Sequence, residues 1–202
     1  MATTRDKIVS RIHRWGPGHA FTPKDFLDVG SRGMVDVTLS HLVSTGLIRR
    51  VARGLYDHPK HSDALGVTLS PDIDQIARAI ARRFRWRIIP TGAWAANALG
   101  LSTQVPAKIT YLSDGPNRKF EIGKQTVYFK HARPKETRTE DELSSLVIQA
   151  LRYLGKDEVG LETVTHLRTR LSPAEKRRLL RDTRYSADWI FAVARQIAEE
   201  DA

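Results

Sequence analysis

The apolar period changes in the middle of one short run, and that change restricts the fold more than any other feature. From Met34 to Thr45, Val35, Leu39, Leu42 and Val43 recur at helical spacing and mark one buried stripe. Gly46 follows where a helix commonly ends in a left-handed residue. Directly afterwards "LIRRVA" and "GLYDHP" read as two short strands, hinged at Arg53-Gly54, where glycine admits a positive φ. The preceding residues supply two more helices. Residues 3–15 put Ile8, Ile12 and Trp15 on one face, and Gly16-Pro17-Gly18 ends that helix. Thr22 is a suitable N-cap and Pro23 a suitable first residue for a short helix through Val29, with Phe26 and Leu27 turned inward. Gly30 and Gly33 then bracket a tight turn. Three helices and a β-ribbon in that order predict an N-terminal winged helix-turn-helix domain over residues 1–62.

In such a module the helix after the turn enters the major groove, and the ribbon lies beside it against the flanking backbone. With the apolar stripe buried, the outward face of the third helix offers Arg32, Asp36, Ser40, His41 and Ser44. Ser31 and Arg32 sit at the helix start, where contacts to bases or phosphates concentrate. Asp36 either selects cytosine or orients Arg32. On the ribbon, Arg49, Arg50 and Arg53 are suited to phosphate contacts or to entry into a minor groove. Thr22 and Lys24, at the start of the second helix, complete the candidate DNA-contact set. The charge agrees: 33 Lys and Arg against 23 Asp and Glu give +10, and residues 1–62 hold ten of the basic residues against five Asp. An excess of that size favours a polyanionic partner, because phosphate neutralisation releases counterions. The plainer reading is that exposed arginines are merely solvated and that the module docks on a protein.

The remainder reads as an α+β domain over 63–202, a small mixed sheet with several helices. Asp57 to Gly66 has the composition of a linker. Ser70 is placed to cap a helix with Pro71 at its first position, and "IDQIARAIARRFRW" puts Ile73, Ile76, Ala77, Ile80 and Phe84 opposite Arg78, Arg82 and Arg85. "RIIPTG" is a short strand and "AWAANALG" a short helix. "KITYLSDG", "RKFEIG" and "QTVYFKHA" alternate as strands. Four helical stretches close the chain: one capped by Thr139 with Glu142 at the capping-box position, then "GLETVTHLRTRL", one opened by Ser172-Pro173, and a last one from about Ser186 to Glu199. Basic clusters at 78–87 and 118–135 read as solvated faces, or as contacts to flanking DNA, to RNA or to an acidic protein.

Little in this pattern points to catalysis. Asp72 and Asp74 fall in a helix's first turn without a preceding Gly-Ser, which fits capping better than magnesium binding. Glu121 and Lys124 lie across a turn rather than on one strand face. His58 and His61 lack further ligands at a metal-site spacing, so no metal and no cofactor is expected. The absence of cysteine excludes disulfides and thiolate sites and fits a reducing cytoplasm. Neither a signal-peptide pattern nor a stretch near the ~20 apolar residues of a membrane span occurs, so a cytoplasmic protein without membrane contact is expected.

The stretch "VDVTLSHLVSTGLIRRVARGLYDHP", with Arg50, Arg53, Gly54 and Tyr56 in an R-x-x-R-G-x-Y pattern, resembles the winged-helix segment of AbiEi-type antitoxins. These are the antitoxin half of type IV toxin–antitoxin and abortive-infection systems. The segment from Ile89 to Pro134 is similar to the domain that follows the wing in that family, so the likeness spans roughly residues 3–135. It implies a non-enzymatic regulator that represses its own operon and is partnered by a nucleotidyltransferase-like toxin. A single winged helix has a modest footprint, so the operator is expected to be double-stranded DNA with repeated half-sites. No heptad repeat announces a dimer, which favours a monomer that pairs up on DNA.

Overall fold

The computed structural model describes residues 2–103, 108–133 and 141–199 of the 202. The chain is α+β, with eight α-helices and three small sheets among the described residues. It divides into two compact units, one of residues 1–86 and 121–127 and one of 87–120 and 128–202.

In the first unit, helix α1 (Thr4–Trp15) starts at a capping box between Thr3 and Asp6. Gly16 ends it at a φ of 83°. Strand β1 (Ala20–Phe21), too short for the sequence to announce, leads into a single 3-10 turn over Pro23–Phe26. This turn is shorter than the helix expected through Val29. Arg11 on α1 clamps the segment, Nη1 and Nη2 donating to the two Asp28 carboxylate oxygens at 2.7 and 2.6 Å and Nη1 also to the Asp25 carbonyl at 2.8 Å. That hydrogen-bonded pairing lowers the Asp28 carboxyl below the ordinary carboxylate range. Gly30 is closely approached: a Cβ there would lie 2.7 Å from Thr4 Cγ2, so the Thr4 side chain would have to shift.

Helix α2 (Arg32–Ser44) begins two residues earlier than expected, with the Ser31 hydroxyl accepting from the Met34 amide at 3.4 Å. Gly33 therefore lies inside the helix rather than in the turn. Strands β2 (Arg49–Ala52) and β3 (Leu55–Asp57) form a hairpin closed by Arg53-Gly54, with Gly54 at a φ of 68°. β1 adds to the other edge of β3, so the antiparallel order is β1-β3-β2. The β2–β3 ladder pairs Arg49 with Asp57, Arg50 with Tyr56 and Ala52 with Leu55, with a bulge between Arg50 and Ala52. Between these elements Ile8, Ile12, Phe21, Phe26, Val35, Leu39, Leu42 and Ile48 close a core. Trp15, Phe26 and Tyr56 pack their rings around Phe21.

The segment expected to be a linker instead carries a second hairpin, β4 (His61–Ser62) with β5 (Val67–Thr68). Helix α3 (Ile73–Phe84) is capped by Asp72 rather than Ser70. The Asp72 carboxylate accepts from the amides of both Asp74 and Gln75, which a hydroxyl two residues earlier is not placed to do. α3 packs with the first unit, beyond the expected boundary at residue 62: Arg82 reaches the Ala20 carbonyl at 2.8 Å and Asp25 at 3.3 Å.

The second unit contains β6 (Ile88–Pro90), α4 (Gly92–Ala98) and β7 (Ile109–Ser113). β8 (Arg118–Ile122) and β9 (Gln125–His131) follow, and the sheet order is β6-β7-β9-β8. Tyr111 stacks on Phe129, and Phe120 meets Phe129 edge-on. Helices α5 (Glu142–Leu154), α6 (Leu161–Arg170), α7 (Pro173–Thr183) and α8 (Asp188–Ala198) complete the described chain. α4 packs chiefly on α5 and α7 on α8, around a core that includes Leu99, Val147, Leu151, Leu167 and Ile190. Asp141 caps α5 by accepting from the Ser144 amide at 2.9 Å; Thr139, the expected cap, lies outside the described residues.

Candidate nucleic-acid interface

Helical spacing decides which side chains of α2 point outward. Val35, Leu39 and Leu42 are buried on one side. On the other, Gly33, Val37, Ser40 and Ser44 recur along one exposed arc, with His41 beside it. Ser40 and His41 are thus presented as the sequence suggests. Arg32 sits at the edge of the arc, its Nε donating to Asp36 at 2.8 Å with both side chains about half exposed. The geometry gives Asp36 the part of orienting Arg32. Ser31 is occupied as the cap of α2.

Two side chains on this arc were not singled out from the sequence. Val37 is 72 % exposed and Met34 53 % exposed, although α2 already has its buried stripe. Their helical phase, a few residues out of step with Val35 and Leu39, is the signal that marks them.

Of the three hairpin arginines, Arg50 and Arg53 are exposed and have no side-chain partner among the described residues. Arg49 differs and is withdrawn from the candidate set. Its Nε and Nη2 donate to the two carboxylate oxygens of Asp57 at 3.0 and 2.6 Å, and its Nη1 donates to the Leu69 carbonyl at 3.1 Å. Asp57 is only 1 % exposed, so the pair anchors the central strand from within.

Thr22 is withdrawn as well: it is 1 % exposed, and its hydroxyl donates to Asp25 at 3.1 Å. Lys24 is exposed, with its Nζ donating to the Arg83 carbonyl at 3.0 Å, so its stem reaches along α3.

The basic cluster at 78–87 is partly absorbed by structure. Arg78 pairs with Asp74, Arg82 with Asp25, and Arg83 lies over the Phe84 ring. Lys135, in the second cluster, lies outside the described residues. Asp72 and Asp74 are engaged in the cap and the Arg78 pair. The His58 ring sits 5.8 Å from that of His13, whereas His61 Nε2 is 3.1 Å from the Thr68 hydroxyl. Among the described residues no group of three or more His, Asp or Glu is placed to hold a metal ion, and no helix is long and apolar enough to cross a membrane.

The first unit therefore presents a helix arc of small polar and apolar side chains together with a hairpin bearing two arginines that are unpaired among the described residues. By sequence the chain belongs to the family of unknown function DUF6088, whose profile matches residues 7–179. Among solved structures it is similar to the RV2827C protein from Mycobacterium tuberculosis, with a TM-score of 0.46 and 17 % identity over 96 % of this chain and 76 % of that one. No curated protein matches it.

Proposed function

We propose that the chain is a DNA-binding transcriptional regulator whose N-terminal elements act as a winged helix-turn-helix. In this reading α2 is the recognition helix and the β2–β3 hairpin the wing. The observation that carries it is the sorting of the arginines: Arg49 is engaged internally, while Arg50 and Arg53 are exposed on the hairpin with no side-chain partner among the described residues. Exposed cations on a hairpin and an outward helix face are what a phosphate backbone and a groove floor require. Residues 1–86 add fourteen Lys and Arg against eight Asp, a field that draws polyanions.

The resemblance to AbiEi-type antitoxins narrows the role to an antitoxin that represses its own operon in the cytoplasm beside a nucleotidyltransferase-like toxin. An anisotropy titration of the DNA upstream of its own gene, with Arg50→Ala and Arg53→Ala variants, tests the reading. Affinity unchanged in the double variant would overturn it.

In a second reading the chain mainly neutralises a protein partner, and Leu161 and Tyr185 of the second unit, 82 % and 94 % exposed, are the apolar side chains such a contact would use. Co-purification with the product of a neighbouring nucleotidyltransferase-like gene, lost on Leu161→Ser, tests that reading.

A further inference from the structure

We infer that the outward face of α2 reads a thymine methyl group through Val37, at a place where Gly33 lets the base edges come close. The inference rests on the DNA-binding reading above and deepens it by naming the base.

Val37 has no packing role among the described residues of its unit. It is the most exposed of the large apolar residues on α2, it is absent from the core that Val35, Leu39 and Leu42 help to build, and a β-branched side chain is not favoured in a helix. Gly33 is equally unexplained from within. Its φ is not in the positive range, and a Cβ built on it meets no atom within 4 Å, so neither backbone conformation nor packing demands glycine. Glycine is nonetheless a poor helix residue. One turn apart on the same arc, the two residues form a bare stretch of backbone beside an apolar knob. Ser40 and His41 supply short hydrogen-bonding groups around it.

The major groove explains that combination. Its only apolar feature is the C5-methyl of thymine; the other base edges present donors and acceptors. A branched aliphatic side chain at the centre of a recognition face gains by covering that methyl, and it gains nothing from the polar edges. Close approach of the groove floor is where a missing Cβ on the neighbouring turn helps. The arginines of the same unit provide the charge complementarity for DNA over a protein partner.

The test begins with selection of binding sites from a randomised DNA duplex pool by the full chain. The wild type should enrich thymine at one or more fixed positions of the motif, and Val37→Ala should lose that preference at one of them while keeping the rest. In the enriched duplex, replacing that thymine by deoxyuridine removes only the methyl group. This should weaken wild-type binding about fourfold, the worth of roughly one buried methyl-sized group, and should leave Val37→Ala binding unchanged. Gly33→Ala should melt no lower than the wild type yet bind the duplex more weakly.

Equal wild-type affinity for the thymine and deoxyuridine duplexes would overturn the inference, while loss of binding in the Arg50 and Arg53 variants would leave the DNA reading standing. If the wild type enriches no motif and binds no duplex, the DNA reading itself fails and the Val37 face belongs to a protein contact.

Discussion

Replacing Arg49 by alanine should destabilise the protein without the signature of a lost DNA contact. The guanidinium makes a two-pronged bond to Asp57 at 3.0 and 2.6 Å and a third bond to the Leu69 carbonyl at 3.1 Å. Truncation leaves the Asp57 carboxylate, 1 % exposed, on the central strand without its counter-charge. Removing one partner of a fully buried pair costs about 3–5 kcal/mol. The Arg49 side chain is 31 % exposed, so water can partly replace it, and a loss of about 2–3 kcal/mol is expected. For a chain of this size that corresponds to a fall in Tm of about 4–12 °C. Thermal melts followed by circular dichroism measure it, with Arg50→Ala and Arg53→Ala as controls that should shift Tm by no more than about 2 °C. In an Asp57→Ala background the Arg49→Ala step should cost much less, only the bond to the Leu69 carbonyl, because the charge that needed pairing is gone. The reasoning is refuted if Arg49→Ala melts with the wild type and instead loses duplex affinity to the same extent as Arg50→Ala.

The other expectations concern binding, pH and assembly. Arg50→Ala and Arg53→Ala should each weaken binding to all duplexes alike and reduce the slope of log affinity against log salt by about one unit, measured by anisotropy over a salt series. His19 is held below the ordinary imidazole value of about 6.5 by burial first and by Arg82 next, with Asp25 opposing. The folded state therefore favours the neutral ring: stability from His19 is complete above about pH 6.5 and is lost as pH falls from there through the folded value. Urea midpoints of wild type and His19→Gln should differ by a constant amount above about pH 6.5, and the difference should change only as pH falls below about 6.5; a gap that stays constant through that fall contradicts this. Analytical ultracentrifugation should show a monomer alone and two copies on a duplex with repeated half-sites, and a stable dimer without DNA would reject the proposed assembly.

The elements that announced themselves did so through periodicity or through residues with one structural use. α1, α2 and the β2–β3 hairpin follow from the Ile8/Ile12 and Val35/Leu39/Leu42 spacings and from Gly54. β1 could not be read, because two residues carry no alternation. The β4–β5 hairpin hid in a segment whose exposed, mixed composition looks like linker. α3 was legible as a helix, but its company was not: the bonds from Arg82 to Ala20 and Asp25 span 62 and 57 residues, beyond any local pattern. Within the candidate site, Ser40 and His41 followed from helical phase. Thr22 and Arg49 did not, since burial and ion pairing decide their use and both are set by tertiary contacts.

The bulge between Arg50 and Ala52 determines which of two neighbouring arginines becomes the internal anchor. A regular ladder closed at Ala52 and Leu55 would set Arg50 opposite Asp57; the extra residue taken up at Val51 brings Arg49 there and sets Arg50 opposite Tyr56. Structural and exposed arginine are thus separated by a slip of one position, and a slip of one also turns each side chain to the other face of the ribbon. Among related chains, aligning the Arg-Arg pair alone will not reveal which member is free. The number of residues between the pair and the glycine turn will: shortened by one at Val51, the hairpin becomes regular and Arg49 remains the anchor, whereas at the present length the same outcome depends on the bulge.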